Sequence, residues 1–148
     1  MASYLADTNI LLRASTPADQ VVERAILHLQ AEQHMLVATS QNFVEAWNVF
    51  TRPETQNGLG LTPANAAYAL QELEELFPRL PDRDAVFDEW KRIVRQFEVS
   101  GVQVHDARLV ATMHIHGIRH ILTLNTQDFR RYEPEGIISV HPRDVVTA

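Results

Sequence analysis

Three short apolar runs, at residues 3–6, 35–38 and 118–124, lie far apart in the chain, with helical periodicity filling the space between them. Nothing between the first two runs is suited to closing a tight hairpin; residues 7–34 contain no glycine at all. Strands that no tight turn can join need helical crossovers, and crossovers produce parallel pairs. The order therefore predicts an α/β domain, with a mostly parallel central sheet of four to five strands and helices on both faces. A chain of 148 residues suits one such domain, covering residues 1–148 around a single core.

Local signals fill in this frame. Residues 3–6 read as a buried strand ending at Asp7. Thr16 and Pro17 pair an N-cap with a proline at the first helical position, and Val22, Ala25, Ile26 and Leu29 follow at helical spacing. Residues 35–38 read as a second strand. Thr39 and Ser40 can cap a helix carrying Phe43, Val44, Trp47 and Phe50, which Pro53 ends. Residues 53–61, with two glycines, a proline and an Asn-Gly pair, read as a loop. Thr62 and Pro63 open the next helix, and a further one covers residues 84–98 with Val86, Phe87, Trp90 and Ile93 apolar. Val102 and Val104 read as a short extended segment leading to Asp106, where a helix starts that Gly117 stops. Residues 125–135 read as polar loop and 137–140 as a last strand.

Composition excludes some chemistry. Without cysteine there is neither a disulfide framework nor a thiolate metal site. No stretch fits a membrane span or a secretory signal, so a cytoplasmic protein with no membrane partner is expected. The formal charge of −6 argues weakly against a large nucleic-acid surface. That objection softens if several acids are metal ligands.

In an open parallel sheet, ligands gather outside the carboxyl ends of the strands. Asp7 directly follows the first strand, and Glu45 lies in the helix after the second. Asp106 follows the extended segment, and Asp128 lies beyond the run at 118–124. Singly, each has a plain structural use: Asp106 as a helix cap, Glu45 on a solvated face, Asp128 in a turn. Jointly, four carboxylates delivered to one rim repel unless cations neutralise them. Oxygen ligands without sulfur suit Mg²⁺ or Mn²⁺. Asn9 and Asn125, near the same rim, can orient a carboxylate or hold a metal-bound water.

The runs Tyr4-Leu5-Ala6-Asp7-Thr8-Asn9, Ser40-Gln41-Asn42-Phe43-Val44-Glu45, Asp106-Ala107-Arg108-Leu109 and Leu122-Thr123-Leu124-Asn125-Thr126-Gln127-Asp128 resemble, in order, the four acidic motifs of PIN-domain proteins. Thr51-Arg52-Pro53 with Asn57-Gly58-Leu59 further resembles a subgroup of VapC-type toxins. The resemblance implies a PIN-like fold and an Mg²⁺- or Mn²⁺-dependent endoribonuclease acting on RNA as the toxin of a toxin–antitoxin pair. It implies Asp7, Glu45, Asp106 and Asp128 as the catalytic, metal-holding acids, with Asn125 as the alternative in the fourth position. A cognate antitoxin is implied as partner. The helices near residues 40–52 and 62–77 carry enough apolar residues to serve a homodimer as well as a core.

Other residues carry less. His114 and His116 stand two apart on a helix and point about 200° from one another, so they cannot share an ion. His105, Arg13, Arg52, Arg108, Arg130 and Arg131 are expected at the surface, and Trp47, Phe50, Trp90 and Phe97 in the core or a dimer interface rather than as base-stacking platforms. Two rivals stand beside the nuclease. A phosphohydrolase using Asp7 as nucleophile would want a second aspartate where Asn9 stands. A PIN-like module that binds RNA or protein without catalysis would have no need of four unpaired acids.

Overall fold

The computed structural model describes residues 1–15 and 19–147, and the side chains of all of these except 146 and 147. Four strands form the sheet: β1 (Ser3–Ala6), β2 (Met35–Val37), β3 (His120–Leu122) and β4 (Ile138–Val140). Their order is β2-β1-β3-β4, and every pairing is parallel. The expected α/β architecture is present, and β4 runs parallel to β3. Residues 78–80 extend the edge beside β2 through a single parallel bridge between Ala38 and Arg79.

Seven α-helices accompany the sheet among the described residues: α1 (Thr8–Ala14), α2 (Gln20–Ala31), α3 (Ser40–Thr51), α4 (Pro63–Leu76), α5 (Ala85–Gln96), α6 (Val104–His116) and α7 (Pro142–Thr147). Alternation along the strands decides which helices cover which face. Leu5, Val37 and Ile121 point into a cluster with Val86 and Ile93 of α5 and Leu109, Val110 and Met113 of α6. Ala6, Leu36 and Leu122 point the other way, toward Ile10 and Leu11 of α1, Val22 and Ile26 of α2, Phe43 and Phe50 of α3, and Leu73 of α4. The sheet is thus sealed on both sides, the normal condition for parallel strands. No helix among the described residues is long and apolar enough to cross a membrane.

Caps set several boundaries. Thr39 accepts from the Asn42 amide while the Asn42 side chain bonds back, a closed capping box at the start of α3. Thr62 caps α4 ahead of Pro63, and Gly117 ends α6 with φ +68°. After α3, residues 53–61 fold back onto its last turn. Gly58 N–H donates to the Pro53 carbonyl (3.0 Å) and Gly60 N–H to the Arg52 carbonyl (2.9 Å), while the Arg52 side chain donates to the Asn57 carbonyl (3.1 Å).

Local expectations differ from the structure in four places, and a fifth expectation cannot be set against it. The cap at Thr16 and Pro17 lies outside the described residues; Asp19 caps α2 by accepting from the Val22 amide. α1 and α7 carry no separate periodic signal, being only seven and six residues long. Residues 101–103 form a 3₁₀ turn and not an extended segment, because Gly101 turns the chain at φ +63° and no strand covers Val102, which is 83% exposed. Residues 126–135, read as loop, form a 3₁₀ helix anchored by buried Phe129 and Tyr132. The run at 118–124 pairs as a strand only over β3.

Candidate active site

Parallel pairing puts the carboxyl ends of β1, β2 and β3 along one edge, and β1 sits where the strand order reverses. Asp7 leaves β1 and becomes the N-cap of α1, its Oδ1 accepting from the Thr8 amide at 2.8 Å. Glu45 projects from α3, which follows β2. Asp128 stands in the first turn of the 3₁₀ helix that follows β3. Asp106 reaches the same edge by a different route. The helix α6 feeds β3, so its last turn lies at the amino edge of the sheet. Its 13 residues span about 20 Å, which carries the first turn up to the carboxyl edge. Asp106 lies inside that first turn and is not the cap; Gln103 holds that position.

Hydroxyl and amide groups set how the acids face one another. The Thr123 hydroxyl, just past β3, donates to Asp7 Oδ2 at 2.8 Å. It also accepts from the Asn125 amide at 3.0 Å and, at 3.4 Å, from Asn9 Nδ2. Asn9 accepts from the Leu124 amide at 3.2 Å and donates at 3.5 Å to Asp7 Oδ2, tying α1 to the end of β3. On the other side, Asn42 Nδ2 donates to the Thr8 hydroxyl (3.0 Å), which donates to Glu45 Oε2 (2.7 Å). Gln41 donates to Glu45 Oε1 (3.0 Å) and to the His105 carbonyl (2.9 Å), and accepts from Arg108 (3.0 Å). Residues 7–9 are therefore bonded directly to α3 and to the end of β3, and Gln41 joins α3 to α6.

Charge repulsion shows that the four acids share a neighbourhood. Asp7 is only 8% exposed. Burial pushes its carboxyl upward, the Thr123 hydroxyl and Thr8 amide pull it back, and the charges of Glu45 and Asp128 push it up again. Asp106 is raised from its ordinary 3.8 to about 7, first by burial and then by Asp7, Asp128 and Glu45. Asn125 is exposed and contributes its backbone: its amide bonds to Thr123, and its carbonyl accepts from the Asp128 amide at 3.1 Å.

Among the described residues, no group of three or more His, Asp or Glu side chains is placed to hold a metal ion. The donors are carboxylate oxygens alone, held on one edge and short of positive charge. That chemistry fits a hard divalent ion that takes one or two carboxylates directly and keeps water for its remaining ligands.

His114 and His116 lie elsewhere. His114 Nδ1 meets Glu89 at 2.6 Å and His116 Nε2 meets the Pro81 carbonyl at 3.0 Å, in keeping with their opposed directions on α6. Sequence reasoning assigns no role to Thr8, Gln41, Asn42 or Thr123. Thr8 and Thr123 sit inside the motif runs, and a hydroxyl beside an acid is the available signal. Arg108, expected as a surface charge, is exposed and yet bonded to Gln41.

Comparison with known proteins gives three findings. The PIN domain family model matches residues 4–134. No curated protein matches the chain in sequence. Several solved structures match in fold. VapBC2 from Rickettsia felis, bound to a DNA fragment from their promoter, is similar over 94% of this chain and 98% of that one, with TM-score 0.70 and 12% identity. VapBC-1 from nontypeable Haemophilus influenzae covers 95% and 98% at TM-score 0.72 and 13% identity. A toxin–antitoxin complex from Klebsiella pneumoniae covers 94% and 97% at TM-score 0.62 and 19% identity.

Proposed function

Because this chain belongs to the PIN domain family, we propose that it is a metal-dependent endoribonuclease and the toxin of a toxin–antitoxin pair. One observation carries the reading: Asp7, Glu45, Asp106 and Asp128 come from four separate segments to one sheet edge, close enough to raise Asp7 and Asp106.

Asp7 and Asp106 are the acids that would hold Mg²⁺ or Mn²⁺, with Glu45 and Asp128 completing the negative rim. When bound, such an ion offsets the carboxylates, lowers the pKa of a bound water and stabilises charge on a phosphate. The protein's own part is to hold the acids before substrate arrives. The Thr8 amide and Thr123 hydroxyl fix the two oxygens of Asp7, and Thr8 and Gln41 fix those of Glu45. Acids fixed this way need little rearrangement to reach a productive geometry. Water adds to phosphorus as the 3′ oxygen leaves, so the products carry a 5′-phosphate and a 3′-hydroxyl. Asn9 is a positioning residue for Asp7. Asp128, whose charge acts on both Asp7 and Asp106, takes the fourth place in preference to Asn125.

The assemblies of the similar structures support a cognate antitoxin as partner for this chain. Val44 on α3 and Tyr68 on α4, 70% and 71% exposed, are apolar surface that a homodimer would cover. An RNA substrate implies a cytoplasmic protein.

The test is cleavage of end-labelled RNA by purified protein with Mg²⁺ or Mn²⁺. Asp7→Asn is expected to lower the rate by about 100-fold or more, in line with removing a group that acts on the transition state. Equal cleavage in excess EDTA, or full activity in Asp7→Asn, overturns the reading.

A further inference from the structure

Beside the acidic rim, α5 and the start of α6 enclose an open depression of about 260 Å³ lined by Phe87, Trp90, Val104, His105 and Arg108. Sequence periodicity assigns Trp90 to packing, but Trp90 is only half-buried, and Phe87 is 60% exposed. The two rings stack, with centroids 5.7 Å apart and planes 24° from parallel. The Trp90 indole N–H donates to the Val104 carbonyl at 2.9 Å, which fixes its ring against α6. Trp90 packs against the core beneath α5 and α6, so the open aromatic surface is Phe87 and the outer part of the Trp90 ring.

Charge around the depression selects the partner. Arg108 and His105 line it, and Lys91 lies over the Phe87 ring at 5.1 Å from its centroid. Farther along α5 stand Arg92 and Arg95. The acids on this stretch are already engaged, Asp88 with Lys91 at 3.3 Å and Glu89 with Arg92 and His114. Those pairs engage Lys91 and Arg92 as well, and Arg92 also meets Glu135 at 2.7 Å, so Arg108 and Arg95 are the cations of this face without an ion pair among the described residues. The face is continuous with the candidate active site: Arg108 donates to Gln41, which bonds to Glu45, and His105 adjoins Asp106.

We propose that this depression is a base-binding subsite for single-stranded RNA, in which one unpaired base stacks on the Phe87–Trp90 pair. Arg108 and His105 then meet the backbone between that base and the acidic rim. Aromatic rings rimmed by cations are the general device for holding unpaired nucleotides, and stacking tolerates any base. The proposal rests on the nuclease reading for its substrate, but binding at this face is measurable without cleavage.

The experiment uses full-length protein in an Asp7→Asn background, which silences cleavage, with Mg²⁺ present. The probe is a short single-stranded oligoribonucleotide carrying one 2-aminopurine, and its companion has an abasic site at the same position. Stacking is expected to quench the 2-aminopurine. Adding Phe87→Ala should weaken binding by about 5- to 100-fold, and Phe87→Tyr should restore it. On the abasic strand, the proteins with and without the Phe87→Ala substitution should bind alike. Equal affinity of the Phe87→Ala protein for the intact strand overturns the subsite. So does a change of oligomeric state in Phe87→Ala by light scattering, which assigns the rings to a contact between copies. If Phe87-dependent binding is found but protein with Asp7 intact never cuts RNA, the subsite stands and the nuclease reading falls. If it cuts RNA and Phe87 makes no difference to binding, the reverse holds.

Discussion

Asp106→Asn should stabilise the metal-stripped protein while abolishing its response to Mg²⁺. Asp106 is raised from 3.8 to about 7 by burial and by three neighbouring acids. Between those two values the folded chain keeps a proton that the unfolded chain has released. Stability then falls as pH rises, because the native state binds more protons than the unfolded state. The destabilisation is absent below about pH 4 and complete above about pH 7. In a dry site it would reach about 4 kcal/mol; Asp106 is half-exposed, and solvent screening reduces this to about 1–2 kcal/mol. Asparagine removes the charge but also a first-turn acid from α6, which costs about 0.5 kcal/mol of helix-dipole interaction. The net gain at about pH 8 is about 1 kcal/mol, or a rise of about 2–4 °C in melting temperature. The assay is thermal unfolding in EDTA at about pH 8 and about pH 4.5, repeated at the higher pH with Mg²⁺. Most of the gain should be gone at the lower pH, and Mg²⁺ should raise the wild-type midpoint far more than the variant's. A variant no more stable than wild type at the higher pH, or a gain of equal size at both pH values, refutes the account of Asp106 as an uncompensated charge.

Thr123→Val removes the hydroxyl that orients Asp7 and accepts from Asn125. RNA cleavage should fall by about 10- to 100-fold and stability by about 1–3 kcal/mol, read by initial rates and by urea titration; a wild-type rate would remove Thr123 from the positioning role. Gly58→Ala places a Cβ 1.9 Å from the Arg52 carbonyl oxygen, so the loop over α3 must shift. A loss of about 2 kcal/mol or more is expected in urea unfolding. Glu89 is held at about 2, chiefly by hydrogen bonds from Arg92 and then by His114. Its pKa is depressed on folding, so its contribution is full above the usual 4.5 and is lost as pH falls toward about 2. Glu89→Gln should therefore cost about 0.5–1 kcal/mol near neutrality and nothing measurable near about pH 2, read by urea titration at the two pH values.

What the sequence discloses depends on whether a signal is local. Thr62-Pro63 at the head of α4 and Gly117 at the foot of α6 act within one turn of themselves, and both are legible. The apolar stripes of α2 and α3 are legible for the same reason. The seven residues of α1 are not, because Ile10 and Leu11 continue the apolar run of β1 without a period of their own. Val102 and Val104 imitate strand alternation, and only the turn at Gly101 and the exposure of Val102 reveal otherwise. At the candidate site Asp7, Glu45 and Asp128 announce themselves by type and position after strands, whereas Asp106 follows a 3₁₀ turn. The groups that aim them do not. Thr123 and Asp7 bond across 116 positions and Thr8 and Glu45 across 37, and no spacing rule couples such residues. Phe87 reads as part of an apolar stripe, since periodicity assigns a side to a ring but not the neighbour that would cover it.

That long separation has a consequence in time. The rim closes only when β3 docks beside β1, which joins residues 4–6 to residues 120–122. Contacts that distant form late, after the intervening chain has been synthesised and collapsed. A nascent chain on the ribosome therefore lacks the assembled carboxylates until most of its length has emerged. If the chain cuts RNA as proposed, it has no assembled rim to cut with until β3 is in place.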